Sequence, residues 1–128
     1  MAHDPPTIQR GAIHWLHADA QDGTVQPYAH PYLVVQDDLF NRSRITTVIV
    51  CALTTNLQRI NEPGNLLLEP GEGGLPRQSV VVVSQLLSVD RTRLGQRIGM
   101  LAPERVDQVL QGLAFQQRSF FPTPHSGA

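Results

Sequence analysis

Over most of this chain, apolar residues follow the two-residue spacing of β-strands or gather in short β-branched runs. Successive strand side chains point to opposite faces, so these patterns predict strands where Gly, Pro, Asn or Asp bound them. Residues 46–54 are rich in β-branched residues and apolar on both faces, which predicts a central strand with both faces buried. Residues 78–89 carry four consecutive valines and predict one long, bent strand. The predicted strands cover residues 13–18, 31–36, 46–54, 65–68, 78–89 and 94–101.

One helix is predicted, and it begins at Pro103. Proline suits the first helical position, where the backbone needs no N–H donor, and Glu104 puts a negative charge at the positive end of the helix dipole. Four apolar residues at positions i, i+3, i+4 and i+7 then form one stripe. They are Val106, Val109, Leu110 and Leu113.

Several short strands followed by one helix predict a mainly β fold, a small and highly curved barrel or sandwich capped by a C-terminal helix. The length of 128 residues is that of a single domain. We predict that the domain spans residues 10–118, between an N-terminal tail over 1–9 and a C-terminal tail over 119–128. A long loop over 19–30 is predicted between the first two strands.

The charge balance argues against a generic nucleic-acid binder. The formal net charge is −1 and the pI is about 6.5, whereas such binders usually present a strongly basic face. All ten basic residues are arginine, the residue best suited to phosphate forks and to stacking on bases. Codon usage produces the same excess of arginine without any function, so composition alone leaves both explanations open.

The remaining composition favours an intracellular protein. The single cysteine, Cys51, lies in an apolar run and is expected to be a small buried hydrophobic residue. The longest apolar stretch, residues 48–53, is far shorter than a membrane span, and the N-terminus lacks the pattern of a secretory signal. We therefore expect a cytoplasmic location.

Few residues suggest chemistry on their own. His14 and His17 are three apart on a predicted strand and should point to opposite faces, so no metal site is expected, and no other cofactor motif is present. His30 precedes a proline, which holds it in an extended conformation at the start of a strand. Thr54 ends the central strand. By themselves, an exposed histidine and a strand threonine are more often without catalytic function.

The order of short motifs changes this interpretation, because it resembles the MazF/PemK family of toxin endoribonucleases. The resemblance runs from Arg10 to about Leu113. Residues 10–16 resemble the family's first strand "RGDIYWV", residues 30–35 resemble "RPVLVV", and residues 47–56 resemble "TVIVAPITSN". Similar matches link residues 23–26 to "GSEQ", 38–41 to the "ND-x-x-N" turn, 74–81 to "GL-x-x-x-SVV" and 84–94 to "DQIRTVDKRRL".

The resemblance implies an SH3-like barrel with a C-terminal helix, usually a homodimer. It also implies cleavage of single-stranded RNA without a metal, and inhibition by a small acidic antitoxin that covers the RNA channel. In this chemistry a ribose 2′-hydroxyl attacks the adjacent phosphate, which requires a base, an acid and hydrogen-bond donors for the phosphorane.

The resemblance also implies site residues. His30 and Thr54 occupy the positions of the family's catalytic arginine and threonine. Thr24, Gln26 and Gln85 match positions that bind the RNA. Arg10 is expected to bind the substrate as well, within a positive surface near the RNA channel that includes Arg42, Arg44, Arg59 and Arg77.

Two departures from the family pattern leave three hypotheses open. Val25 replaces the acid of "GSEQ", and His30 replaces an arginine whose charge is permanent. In the first hypothesis His30 transfers protons in place of the arginine. In the second the site is degenerate, and the protein binds RNA or an antitoxin without cutting. In the third it resembles the gyrase-targeting toxins that share this barrel. The motifs follow the ribonuclease branch.

Overall fold

The computed structural model describes residues 7–17 and 30–118, and these form six strands and two α-helices. The elements closely follow the predicted ones. In chain order they are β1 (Ala12–Leu16), β2 (His30–Val34), α1 (Asp38–Asn41), β3 (Thr47–Thr54), β4 (Leu66–Leu68), β5 (Ser79–Asp90), β6 (Leu94–Met100) and α2 (Pro103–Gln116).

The strands form one antiparallel sheet in the order β4-β5-β3-β2-β1-β6. The prediction of a mainly β fold with a C-terminal helix is confirmed, and the barrel-like sheet stays open between β4 and β6. The 3₁₀ turn Glu72–Gly74, which follows β4 in the chain, packs against β6. The backbones meet so closely that a Cβ on Gly99 would lie 2.4 Å from the carbonyl oxygen of Gly73.

Strand β3 is central, as predicted, because it contributes to two hydrophobic clusters on opposite faces of the sheet. Cys51 and Leu53 join the first cluster, which α2 covers with its predicted stripe of Val106, Val109 and Leu113. Val48 and Val50 join the second. Cys51 is fully buried, and burial raises the pKa of its thiol to about 12, so it is the expected small hydrophobic residue.

Strand β5 is long and bent, as predicted, and the bend has a definite position. Cys51 pairs with Leu86 while the next residue of β3, Ala52, pairs with Val82, so residues 83–85 have no partner on β3. The side chain of Asn65 compensates for part of this interruption, since its Oδ1 accepts a hydrogen bond from the Val83 N–H at 3.0 Å. Such a bulge strengthens the local twist of the sheet.

Two local predictions needed correction. Strand β2 begins at His30, one residue earlier than predicted, so His30 is a strand residue and not the end of a loop. The segment 38–41 was expected to be a turn and is a short helix. Asp37 caps it by accepting a hydrogen bond from the Leu39 N–H at 2.8 Å. A helix of this length depends on its caps and has no apolar periodicity to indicate it.

Ile8 lies within the predicted N-terminal tail and packs in the second cluster. The domain boundaries themselves stay a prediction, because residues 1–6 and 119–128 are outside the described residues. In the described part of the chain, no helix has the length and apolar character needed to cross a membrane.

Candidate active site

Continuation of the strand register brings His30 and Thr54 into one row of residues that crosses the sheet. Leu16 of β1 pairs with His30 of β2, and Thr54 of β3 pairs with Val80 of β5. The β2–β3 register pairs Tyr32 with Ala52, and its continuation by two residues puts His30 opposite Thr54. Opposed residues of antiparallel strands project from the same face, with Cβ atoms about 4.5–5.5 Å apart. The two motif residues are therefore neighbours at the ends of adjacent strands.

His30 is exposed, as proton transfer to a substrate requires. Pro31 follows it and pairs with Trp15 of β1, so the backbone at His30 is held in strand geometry by a neighbouring strand. A histidine fixed in this way presents its ring to a substrate without a change in the backbone.

Thr54 is half-buried at the end of β3, and its hydroxyl has a defined orientation. Its Oγ1 accepts a hydrogen bond from the Asn56 N–H at 3.1 Å. Because the oxygen acts as acceptor in this bond, its own hydrogen stays available for another group. Asn56 in turn caps the 3₁₀ turn Leu57–Asn61 by accepting a hydrogen bond from the Gln58 N–H at 3.2 Å, which fixes the chain just after Thr54.

Of the other predicted site residues, the structure describes Gln85 and Arg10. Gln85 is exposed in the unpaired segment of β5. Because this segment is a bulge, strand alternation does not assign Gln85 to either face of the sheet. Arg10 lies at the opposite end of β2, about 16 Å along the strand from His30. Its Nε donates to the Val35 carbonyl at 2.8 Å, and its Nη1 lies 3.6 Å from the Asp37 carboxylate. Thr24 and Gln26 lie outside the described residues.

Residues 9–116 match the family described as the PemK-like, MazF-like toxin of type II toxin–antitoxin systems. The chain belongs to this family. That assignment confirms the resemblance inferred from the sequence motifs, and it covers both His30 and Thr54.

Curated MazF relatives are similar over most of their length. Endoribonuclease MazF2 of Mycobacterium bovis is 34% identical over 106 residues, which are 83% of this chain and 93% of the relative. Endoribonuclease EndoA of Bacillus subtilis is 30% identical over 106 residues, 83% of this chain and 90% of the relative. The fold is also similar to a mycobacterial endoribonuclease in complex with its cognate antitoxin. That comparison has a TM-score of 0.68, 20% sequence identity and coverage of 93% and 99% of the two chains.

The positive surface of this MazF-like chain differs from the set expected from the sequence. Arg10 and Arg59 are close to carboxylates, those of Asp37 and Glu62. Arg42 and Arg44 instead lie near Arg91. Arg42 and Arg91 line one cavity, and Arg44 and Arg91 line another. Arg91 was not among the arginines expected from the sequence. The only signal for Arg91 in the sequence was its place in the motif at residues 84–94.

A second histidine also lies close to the candidate pair. His14 pairs with Tyr32, and Tyr32 with Ala52, so His14 belongs to the row next to that of His30 and Thr54. It is 2% exposed. Nothing in the sequence predicts a buried His14, because the two-residue alternation of β1 does not indicate that this face is also covered.

Proposed function

We propose that this chain is the toxin of a type II toxin–antitoxin pair, a sequence-specific endoribonuclease that cleaves single-stranded RNA without a metal. His30 and Thr54 are its catalytic residues. The observation that carries the proposal is the register of β2 and β3, which makes these two motif residues neighbours on one face. The endoribonuclease names of the curated relatives support the same activity.

The reaction has two proton transfers. A base removes the proton of a ribose 2′-hydroxyl, whose oxygen attacks the adjacent phosphorus and forms a five-coordinate phosphorane. The bond to the 5′-oxygen then breaks, and an acid gives that oxygen a proton. The products are a 2′,3′-cyclic phosphate and a 5′-hydroxyl. His30 can serve as the base when neutral and as the acid when protonated, which an arginine cannot do near neutral pH.

Thr54 supplies a donor for the phosphorane. The Asn56 N–H already donates to Thr54 Oγ1, so the threonine hydroxyl is oriented to donate its own hydrogen to a phosphoryl oxygen. Such a donor stabilises charge that develops in the transition state. Gln85 is exposed in the bulge of β5, and we propose from the family motif that it binds a nucleotide of the RNA.

Two kinds of protein partner belong to this proposal. A small acidic antitoxin would bind the arginine surface of Arg42, Arg44 and Arg91, and the antitoxin complex of the fold relative supports such a partner.

A second copy of the chain would cover an apolar groove of about 540 Å³, where Phe40, Ile45 and Ile49 are exposed beside α2. A cytoplasmic location fits both partners.

Incubation of the purified protein with a long single-stranded RNA in EDTA tests the activity. We expect cuts at one short sequence, with 2′,3′-cyclic phosphate and 5′-hydroxyl ends. Intact RNA in the presence of tight RNA binding would contradict cleavage and favour the degenerate site. Intact RNA together with selective binding to a topoisomerase would favour the gyrase-targeting hypothesis.

A further inference from the structure

A cavity of about 670 Å³ lies next to the candidate active site. His14 lines it, and His14 belongs to the row of residues that neighbours His30 and Thr54, about 7 Å away along the strands. The mechanism proposed above does not use this cavity. Its other lining residues include Ile8, Arg42, Arg91, Thr92 and Leu94.

His14 lines this cavity, and its side chain carries an unsatisfied nitrogen. Its Nδ1 lies 3.0 Å from the Gly95 carbonyl oxygen, and since a carbonyl only accepts, Nδ1 carries a hydrogen. In the neutral imidazole, Nε2 is therefore an acceptor. Nε2 is buried and has no hydrogen-bond partner among the described residues. A buried polar atom without a partner is costly, and a ligand that donates to it would remove that cost.

Arg91 presents the complementary group. Its Nη2 donates to the Phe40 carbonyl at 3.1 Å and to the Asn41 carbonyl at 2.7 Å, which fixes the guanidinium. Its Nε–H is buried, and within the described part of the chain no acceptor lies within hydrogen-bond distance of it. Two fixed side chains that line the cavity thus carry one buried unsatisfied acceptor and one buried unsatisfied donor.

The rest of the lining limits the ligand further. None of the described lining residues is an Asp or Glu, while Arg42 adds an exposed positive charge. Ile8 and Leu94 provide an aliphatic wall. The volume lies in the range of sites for small organic molecules and is much larger than a phosphate needs.

We propose that this cavity binds one nucleotide. The edge of the nucleotide's base donates to His14 Nε2 and accepts from the Nε–H of Arg91. The nucleotide's phosphate lies near Arg42. Nucleobases carry donors and acceptors side by side on one edge, whereas a phosphodiester group of RNA carries no donor. Phosphate contacts would position the nucleotide, and base contacts would select it.

The nucleotide has two possible sources with this same chemistry, a residue of the RNA substrate or a free mononucleotide. The RNA form rests on the proposed ribonuclease function and would make His14 and Arg91 determinants of sequence specificity. Binding of a free nucleotide does not depend on that function.

The binding test uses the full ¹⁵N-labelled chain and NMR. Each of the four ribonucleoside 5′-monophosphates, inorganic phosphate, and a 2′-O-methylated oligoribonucleotide that cannot be cleaved are titrated separately. We expect at least one monophosphate to give saturable shifts of the Thr92 and Gly95 amides, and phosphate to give none there. Equal shifts with phosphate, or none with any nucleotide, would overturn the proposal. Matching shifts with the oligonucleotide identify RNA as the source, and their absence identifies the free nucleotide.

Two substitutions of His14 form a matched pair. Asparagine can keep a donor at the position of Nδ1 for the Gly95 carbonyl but has no atom at the position of Nε2, whereas glutamine can reach the position of Nε2. We expect His14→Asn to weaken nucleotide binding about tenfold or more and His14→Gln to retain more of it. Equal affinity in wild type and a folded His14→Asn protein would refute the assigned contact.

Arg42→Ala provides a test that does not disturb a buried residue. Wild type should bind a nucleoside 5′-monophosphate more tightly than the corresponding nucleoside, and Arg42→Ala should lose most of this difference while its affinity for the nucleoside stays the same. An unchanged difference would remove Arg42 from the site. Nucleotide binding by a chain that leaves RNA intact would refute only the ribonuclease proposal, and cleavage without nucleotide binding would refute only this inference.

Discussion

At the scale of single residues, His30 and Thr54 have different parts in the proposed reaction, and this separates the effects of their substitution. His30 is exposed at the first position of β2 and moves protons, while Thr54 is half-buried and its oxygen is already an acceptor. Loss of proton transfer changes how the rate depends on pH. Loss of a phosphorane donor changes the rate at every pH.

Substitution of Thr54 tests the donor. Thr54→Val keeps the shape and removes the hydroxyl, so the single-turnover cleavage rate should fall about 10²-fold with little change in RNA affinity. Thr54→Ser keeps the hydroxyl and is the matched control, which should retain most of the rate. A Thr54→Val enzyme as fast as Thr54→Ser would exclude the hydroxyl from catalysis.

The sequence contains enough information to predict this pair but not its surroundings. His30 and Thr54 lie in sequence motifs and at strand ends, and both kinds of feature can be recognised in the sequence. The importance of His14 and Arg91 depends on which face of β1 is covered and on three-dimensional packing around Gly95 and Asn41. Contacts between residues about 80 and 50 positions apart leave no periodic signal, so these residues could not be selected in advance.

At the scale of elements, helix α2 makes a close backbone contact with the turn that precedes β4. Gly112 packs on Gly64, whose φ of 82° is in the left-handed region, and a Cβ on Gly112 would lie 2.3 Å from the Gly64 carbonyl oxygen. Replacement of a helical glycine by alanine normally stabilises a helix by about 1 kcal/mol. Here the added methyl group would have to displace backbone atoms.

We therefore expect Gly112→Ala to lower the free energy of unfolding by about 1–3 kcal/mol, the range typical of overpacking. Urea denaturation followed by circular dichroism measures this change. Gln111→Ala, at an exposed neighbouring position, is the control and should stay within about 0.5 kcal/mol of wild type. Equal or higher stability of Gly112→Ala would contradict the packing described.

An ion pair joins α2 to the 3₁₀ turn Glu72–Gly74. The Nε and Nη2 of Arg105 donate to the Glu72 carboxylate at 2.8 and 2.9 Å. These hydrogen bonds lower the pKa of Glu72 below its ordinary value of 4.5. A lowered folded-state pKa means that the pair stabilises the protein above the unfolded-state pKa. That stabilisation is lost as the pH falls through the folded-state pKa.

Glu72→Gln should consequently reduce the free energy of unfolding by about 1 kcal/mol at pH 7, and the difference from wild type should shrink as the pH falls below 4. Denaturation at several pH values measures this. Asp107→Asn, on the exposed side of the same helix, is the matched control and should change stability little. If the difference in the free energy of unfolding between wild type and Glu72→Gln grew as the pH fell, the result would contradict the proposed ion pair.

The strands were predicted to within one or two residues at almost every end, because β-branched runs and flanking turn residues decide them. The bulge at residues 83–85 and helix α1 were not predicted. Both depend on single side chains, Asn65 and Asp37, that satisfy backbone groups. Such contacts follow from the fold and carry no repeating pattern.

At the scale of the whole molecule, one apolar face has no covering element in the described part of the chain. Phe40 is 51% exposed, Ile45 42% and Ile49 37%, and all three line the groove beside α2. A face of this kind is typical of an interface between subunits. In a dimer with a two-fold axis, each copy would bury this face against the same face of the other.

We predict a homodimer at micromolar concentration that Ile49→Glu dissociates, because a charge would be buried without a partner. Sedimentation velocity measures the change, and circular dichroism checks that the variant stays folded. Leu57→Glu is the matched control, since Leu57 is 42% exposed and lies away from the groove. A monomeric wild-type protein, or a folded Ile49→Glu protein that stays dimeric, would be evidence against this interface.

The dependence of the cleavage rate on pH tests most directly the claim that His30 transfers protons. Single-turnover rates of wild type, His30→Ala and His30→Arg are measured on one RNA oligonucleotide in EDTA. We predict that the wild-type rate changes through an ionisation in the range where histidines titrate. His30→Ala should lose about 10²–10⁴-fold in rate, and His30→Arg should lack the near-neutral ionisation. A His30→Ala enzyme with the wild-type rate and the wild-type pH profile would contradict the account.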